Sequence, residues 1–259
     1  MKTIAVVSTV GGAGRTTLTA ALAVLLARRG RPVVALDLDP QNLLGAHLGL
    51  DTLAQTGLGN ALSGESDVWG APTWRNGEGV LFAPYGELSV AQRTAAEAGL
   101  AARPQWLADA LDRLDLPVRG VVLVDTPRYP SPQAEQAVGC ADLALCVTPP
   151  EPAACATLVR RLSALKATGA QVKIVVNRLN PVRDMQRDAL AMLRVAAGDA
   201  QALAHRVYLD AAMPEAFARG SWLFDDAPHS QASHDLQGLG GWLDTWIEGG
   251  GTNGARRAT

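Results

Sequence analysis

The chain has little of what disulfide scaffolds, nucleic-acid-binding proteins and membrane proteins require. Its 259 residues include only three cysteines, Cys140, Cys146 and Cys155, without metal-ligand spacing. An odd number of cysteines without a secretory signal is typical of reduced thiols in the cytoplasm, and the apolar stretch Ile4–Val7 is too short for a signal peptide. The net charge of -2 gives no attraction for nucleic acid, and no apolar run approaches the ~18 residues of a membrane span. We therefore expect a cytoplasmic protein that contacts neither nucleic acid nor membrane directly.

Apolar sequence is abundant, and it is arranged in strand-length runs between helical segments. Hydrophobic residues make up 48% of the chain, enough for one large core. Continuous apolar strands separated by helices are typical of a parallel sheet that is covered on both faces. We therefore predict a doubly wound α/β fold with a mostly parallel sheet. The predicted strands are Thr3–Ser8, Pro32–Leu38, Val80–Phe82, Val121–Val124, Leu143–Val147, Val172–Val176 and Arg206–Leu209, and the predicted helices include Thr17–Arg29, Pro104–Leu114, Glu151–Thr168 and Asp184–Ala197.

The domain organisation is expected to be simple. Residues 1–248 are predicted to form one domain, in which residues 57–79 form loops and short helices because they are rich in Gly, Ser and Trp. The small, polar residues 249–259 are predicted to be a disordered tail.

Near the C-terminus, apolar residues from Leu236 to Ile247 recur at helical spacing, with Asp235, Asp244 and Glu248 on the polar face. Because helices that anchor proteins to membranes carry Lys and Arg on that face, we favour a helix packed on the sheet.

The segment between the first predicted strand and helix is where a phosphate-binding loop belongs. Gly11, Gly12 and Gly14 allow a tight bend that brings backbone N–H groups against phosphate oxygens, and the following helix directs its positive end at the same place. Thr16 is placed to coordinate Mg2+ and Thr17 to contact the α-phosphate. The alternative is a Gly-rich turn without a ligand. The residues predicted to bind nucleotide here are Gly11, Gly12, Ala13, Gly14, Arg15, Thr16 and Thr17.

Arg15 stands where such loops carry a lysine. Lysine is a compact point charge, whereas arginine is a longer planar fork, so the two are not interchangeable. The charge beside the phosphates is kept, but the geometry that stabilises a transferring phosphoryl group changes. We predict that Arg15 acts in both binding and catalysis.

Carboxylates end two of the predicted strands. Asp37 and Asp39 alternate with Leu38, so both carboxylates project to one side of the extended chain. Asp125 follows four apolar residues, the pattern of a Walker B acid. We predict that Asp39 orients the attacking water, while Asp37 and Asp125 hold Mg2+ together with Thr16. The alternative for Asp37 and Asp39 is a turn that caps a helix before Leu43.

The ends of two further strands are candidates for contacting the adenine base of a bound nucleotide. Asn177 and Arg178 follow the strand Val172–Val176, and an asparagine amide can both donate to and accept from adenine. Leu209 and Asp210 end the last strand and are predicted to close over the base. An ordinary turn is the alternative for each pair.

The order of these motifs, over roughly residues 1–247, resembles the MinD/ParA family of deviant Walker ATPases. The resemblance implies ATP and Mg2+ as cofactors and a homodimer with ATP at its interface. The family's loop begins with a lysine that reaches the other subunit's phosphates, and here that position is Val10. The loss of this lysine and the change at Arg15 imply slow hydrolysis, since losing one preorganised donor costs ~10²–10³ in rate.

Three stretches resemble one branch of that family, which serves bacterial cellulose-synthase systems: residues 39–44, residues 84–90 and residues 208–213. The resemblance implies assembly with a small partner protein and a cyclic-di-GMP-sensing regulator at the cellulose synthase, on the inner face of the membrane. Residues 84–90 have no inferred nucleotide contact, so they are a candidate family-specific surface.

Three alternatives remain open. A ParA-type partitioning ATPase needs a basic surface for DNA, which the net charge of -2 disfavours. An iron–sulfur carrier of the same fold needs exposed paired cysteines, whereas Cys146 lies in a predicted strand and free cysteines are usually buried. A pseudo-ATPase scaffold that binds nucleotide without hydrolysing it agrees with the changes at Val10 and Arg15.

Overall fold

An eight-stranded sheet forms the centre of the described part of the chain, which comprises residues 1–64, 70–198 and 203–249 of this computed structural model. Its strands are β1 (Lys2–Val7), β2 (Val33–Asp37), β3 (Trp74–Arg75), β4 (Leu81–Ala83), β5 (Val121–Asp125), β6 (Leu143–Thr148), β7 (Gln171–Leu179) and β8 (Leu203–Tyr208). Their order across the sheet is β3-β4-β2-β5-β1-β6-β7-β8, and the neighbours are parallel except for β3 with β4.

Helices cover both faces of this sheet. Side chains alternate along β1, so Ile4 and Val6 pack in one core layer while Ala5 and Val7 pack in the other. The first layer includes α1 and α11, and the second includes α3 to α8, which confirms the predicted doubly wound α/β fold. The helices are α1 (Arg15–Arg28), α2 (Leu44–His47), α3 (Leu58–Leu62), α4 (Val90–Ala102), α5 (Trp106–Asp112), α6 (Pro132–Cys140), α7 (Pro152–Ala167), α8 (Asp184–Ala197), α9 (Ala212–Ala218), α10 (Leu223–Asp226) and α11 (Gln231–Glu248).

The last helix is built into the core. Leu236, Leu239 and Leu243 of α11 are each at most 1% exposed. On its polar side, Asp244 accepts a 2.6 Å hydrogen bond from the buried Arg31, whose guanidinium also lies 3.1 Å from Glu248. The prediction that this segment is a helix packed on the fold is therefore confirmed. None of the helices in the described part of the chain has both the length and the apolar composition of a membrane span.

Local signals explain the elements that sequence patterns did not indicate. The hydroxyls of Ser89 and Ser131 cap α4 and α6 by accepting from the backbone N–H groups of Gln92 and Ala134. Strand β3 has two residues, too few for any periodicity. Residues 65–69 of the predicted irregular region, and the predicted disordered tail beyond Gly249, lie outside the described residues.

The parallel strands bring their carboxyl ends to one edge of the sheet, where ligands of such folds bind. Asp37 at the end of β2 is in register with Asp125 at the end of β5, and Asp125 is in register with Val6 of β1. The glycine-rich loop therefore leaves β1 beside both carboxylates.

Candidate nucleotide-binding site

The glycine-rich loop has the backbone of a phosphate cradle. Gly12 and Gly14 have φ values of 68° and 90°, a region that favours glycine. Gly14 precedes α1 and provides no side chain to cap it, so the first-turn N–H groups face the loop without a side-chain acceptor. A Cβ atom at Gly11 or Gly12 would meet no atom within 4 Å. An anion at this open helix terminus would satisfy those N–H groups.

The end of β7 braces this loop. The Asn177 Nδ2 group donates a 2.8 Å hydrogen bond to the carbonyl oxygen of Ala13, and a Cβ atom on Gly14 would lie 2.4 Å from the same nitrogen. Arg178, with φ 62°, donates from its guanidinium to the carbonyl oxygen of Gly12 at 3.2 Å. The structure thus gives Asn177 and Arg178 a contact with the loop that the sequence did not indicate.

A cavity of about 660 Å³ lies beside the loop. It is lined by four residues predicted to face the base, namely Asn177, Arg178, Leu209 and Asp210, together with Gly12, Gly14 and Thr17 of the loop. The structure therefore brings together the loop, the end of β7 and the end of β8, three segments that are far apart in sequence. A pocket of this size, with a few polar groups, is typical of small-ligand sites.

Two residues of this cavity had no sequence signal. The His47 ring stacks on Phe217 with centroids 4.0 Å apart, and both side chains line the cavity. Burial lowers the pKa of His47 to about 4, so its imidazole is neutral at physiological pH. The two residues come from α2 and α9, and only the folded chain places them side by side.

The carboxylates of Asp37 and Asp125 are fully buried. Asp37 accepts hydrogen bonds from the N–H groups of Asp39 at 2.9 Å and Leu44 at 3.1 Å. Since Leu44 is the first residue of α2, Asp37 also caps this helix, which was the alternative to a metal-binding role. Burial, reinforced by the charge of Asp125, raises the pKa of Asp37 well above its usual range. For Asp125, burial raises the pKa to about 7 against the opposing hydrogen bond from Thr16.

The donor set around Asp125 fits a hydrated Mg2+ ion. One of its oxygens, Oδ2, is buried without a hydrogen-bond partner, and buried polar atoms in proteins are nearly always paired. The Thr16 hydroxyl contacts this carboxylate from the first turn of α1. Mg2+ prefers oxygen ligands and retains waters, so it needs few protein groups. Among the described residues, no three His, Cys, Asp or Glu side chains are grouped as metal ligands.

Arg15 is held by three protein acceptors. Its guanidinium donates to the carbonyl oxygens of Thr126 at 2.7 Å and Val10 at 3.1 Å, and to Asp39 Oδ2 at 3.3 Å. The side chain is only 11% exposed. The phosphate contacts that the sequence predicts for Arg15 therefore compete with contacts inside the protein.

Residues 84–90, predicted as a candidate family-specific surface, are only partly exposed. Pro84, Tyr85 and Gly86 are buried, and the carbonyl oxygens of Pro84 and Tyr85 accept from the N–H groups of Leu58 and Gly59. A Cβ atom on Gly86 would lie 2.6 Å from the backbone of Gly57, a clash that only glycine avoids. This first half is a packing motif, and only residues 87–90 reach the surface.

Two of the three cysteines are buried in the protein core. Cys146 lies within β6 and is fully buried, and burial raises the pKa of its thiol to about 12. Cys155 is also buried, in α7. These positions favour a core role over the iron–sulfur alternative.

Proteins of known structure share this fold. The chain is similar to the cell division ATPase MinD of Pyrococcus furiosus, with 26% identity, a TM-score of 0.76 and coverage of 94% of this chain and 98% of that one. It shares its fold with the septum site-determining protein MinD of Pyrococcus horikoshii, solved as a complex with Mg-ADP, at 24% identity, a TM-score of 0.76 and coverage of 94% and 96%. The fold is therefore that of the MinD/ParA class of P-loop ATPases, as the sequence resemblance predicted.

A match to a family model identifies the family within this class. Residues 1–243 match the family model described as cellulose biosynthesis protein BcsQ, and the chain belongs to that family. The chain is also 30% identical over 179 residues to an uncharacterized ATP-binding protein of Methanocaldococcus jannaschii. That match covers 68% of this chain and 64% of the relative's length.

Proposed function

We propose that the protein binds ATP with Mg2+ at the carboxyl edge of the sheet. The observation that carries the proposal is the buried, unpartnered Oδ2 of Asp125 beside Thr16, at the uncapped start of α1. Mg2+, when bound, supplies positive charge that neutralises the phosphate oxygens. Thr16 and Asp125 hold the ion, with Asp37 in its outer shell. The backbone N–H groups of residues 11–17 hold the phosphates, while Asn177, Arg178, Leu209 and Asp210 surround the base.

We infer a homodimer with ATP at its interface and with slow hydrolysis. Val10 has no side-chain donor for a phosphate of a second subunit, and Arg15 is already bonded within its own chain. Asp39 orients the attacking water. A nucleotide state of long lifetime suits an assembly platform better than a rapidly cycling motor.

The role that we propose for this dimer is to assemble or position the cellulose synthase secretion complex. Membership of the BcsQ family supports this role. The partners are a small protein and a cyclic-di-GMP-sensing regulator, and the protein reaches the inner membrane face from the cytoplasm only through them. Direct binding to nucleic acid is not part of the proposal, since the net charge is -2.

A second candidate function is a pseudo-ATPase scaffold that binds nucleotide without turnover. The three protein contacts of Arg15 favour it, because they occupy the cation that should act on the transferring phosphoryl group. Phosphate release measured in single-turnover experiments separates the two functions. A ParA-type partitioning role predicts binding to non-specific DNA at low salt, which a gel-shift assay detects.

A matched pair of variants at one position tests the ATP site. Thr16→Ala removes the hydroxyl that faces Asp125, whereas Thr16→Ser keeps it. Calorimetric titration with ATP should show Mg2+-dependent binding for the wild-type protein and for Thr16→Ser but not for Thr16→Ala. Equal affinity of all three proteins would mean that the loop does not hold the metal.

The cellular role is tested by affinity capture from the native cells with and without ATP, with Thr16→Ala as the second bait. We expect cellulose-synthase components to be recovered by the wild-type protein in ATP and not by the variant. Recovery of a DNA-partition adaptor instead, with cellulose output unchanged on deletion, would overturn this role.

A further inference from the structure

Arg15 donates hydrogen bonds to three segments of the candidate site, which lie after β1, β2 and β5. Val10 precedes the glycine-rich loop, Thr126 follows Asp125 at the end of β5, and Asp39 follows the end of β2. One guanidinium donates to all three, and a planar group with five N–H donors suits this arrangement. A lysine ammonium has no such fork, so it could not reproduce the set of contacts.

The contact with Asp39 involves the residue that we propose orients the attacking water. Asp39 Oδ2 accepts from Arg15, and its Oδ1 accepts from the N–H group of Gln41 at 3.0 Å. The Asp39 side chain is only 10% exposed. Each oxygen of the carboxylate therefore already accepts one hydrogen bond from the protein, and the bond from Arg15 to Oδ2 restrains the orientation in which Asp39 could meet an attacking water.

The contact with Thr126 is made at the end of β5, the strand next to β2. Arg15 Nε is 2.7 Å from the Thr126 carbonyl oxygen, while the Thr126 hydroxyl donates to Val6 of β1 at 2.8 Å. Tyr129, three residues further on, donates from its N–H group to the Ser8 carbonyl oxygen. The segment after Asp125 is thus fixed to β1 and to the loop, and Arg15 fixes the Asp39 loop to the same body.

We propose that Arg15 is a positioning residue that latches Asp39 away from the attacking water and so slows hydrolysis, while its charge still favours the bound phosphates. This inference rests on the proposed ATP site. It reverses the usual expectation for this position, since replacing Arg15 by lysine should increase turnover.

The test compares wild-type protein, Arg15→Lys, Asp39→Asn and the double variant. Arg15→Lys keeps the charge and releases Asp39 and Thr126. We expect its kcat to rise about tenfold or more, within the ~10²–10³ that one preorganised group contributes, with KM for ATP changed less than about threefold. The double variant should lose this gain, because the gain acts through Asp39.

A merely structural role for Arg15 predicts a different pattern. The variant would then have a higher KM together with a lower or unchanged kcat, and that result would overturn the latch. A gain in kcat that persists in the double variant would overturn it too, as would loss of ATP binding in Arg15→Lys, which would make Arg15 a phosphate ligand.

Hydrogen exchange in the nucleotide-free protein tests the contact without ATP. Arg15→Lys should speed amide exchange in residues 38–42 and 126–129 and leave α11 unchanged. Unchanged exchange in those two segments would contradict the latch. Failure of the wild-type protein to bind ATP would instead contradict the proposed function, so the two failures are distinguishable.

Discussion

The side-chain amide of Asn177 donates a 2.8 Å hydrogen bond to the carbonyl oxygen of Ala13, across 164 residues of sequence. This contact joins the end of β7 to the glycine-rich loop after β1. In the same strand end, the Asn177 Oδ1 atom accepts from the N–H group of Arg178, which keeps the amide oriented. The loop therefore depends for its position on a residue that the sequence assigned to the base.

Asn177→Ala should weaken ATP binding by about five- to tenfold, because a hydrogen bond contributes on the order of 1 kcal/mol. Calorimetric titration with Mg-ATP measures the change. Asn180→Ala is the matched control, since the Asn180 side chain accepts from the N–H group of Val182 and does not contact the loop. Equal affinities for wild-type protein and Asn177→Ala would show that the loop is held without this contact.

Asn42 connects the Asp39 loop to the buried half of the stretch at residues 84–90. Its amide donates to Ala54 at 2.8 Å and accepts from the N–H group of Gly86 at 3.0 Å, and its φ is 55°. Asn42→Ala leaves two buried backbone groups unpaired in a strained conformation, so we expect a loss of about 2–4 kcal/mol in the free energy of unfolding. Urea denaturation measures it.

Asn42→Gly is the control that separates the cost of the positive φ from the loss of the side-chain hydrogen bonds. Glycine adopts a positive φ without penalty but forms neither side-chain bond, so this variant should be less destabilised than Asn42→Ala by about 1 kcal/mol. If both variants had the same free energy of unfolding as the wild-type protein, the hydrogen bonds of Asn42 between the two loops would not contribute to stability.

The half-buried His47 is expected to make the protein less stable in acid. Its pKa is lowered to about 4 in the folded protein by burial, while unfolded histidine titrates near 6.5. The folded state therefore binds fewer protons than the unfolded state in this range. The contribution of His47 is full above about pH 6.5 and is lost as the pH falls towards 4.

His47→Gln should make the melting temperature less dependent on pH between about 6.5 and 4. His229→Gln is the control, because His229 is exposed. Differential scanning calorimetry at a series of pH values gives the comparison. A pH dependence that is identical in all three proteins would mean that His47 is not held neutral by the fold.

The features that could be predicted from the sequence are those that depend on residues close together in the chain. The glycines of the loop, the acids Asp37 and Asp125 at strand ends, and the spacing of α11 are patterns within a few residues, and they sufficed for the fold. The stack of His47 on Phe217 and the acceptors of Arg15 depend on the packing of segments that only the folded chain brings together. Sequence patterns carry no record of such pairs.

Residues 84–90 illustrate the opposite error. An unusual local pattern without an inferred nucleotide contact suggested a surface, but Gly86 and Tyr85 are specified by close backbone packing against Gly57 and Gly59. A glycine that avoids a clash with a neighbouring segment and a glycine that exposes a loop look alike in sequence. Only the structure separates the two causes.

We propose that Mg-ATP at the candidate site joins two copies of the chain. Sedimentation velocity of the purified protein, without nucleotide and with saturating Mg-ATP, measures this association, with Thr16→Ala as the control. We predict the mass of one chain without nucleotide, the mass of two chains with Mg-ATP, and one chain for Thr16→Ala under both conditions. A wild-type protein that remains monomeric while calorimetry shows bound ATP would mean that the nucleotide does not join two chains.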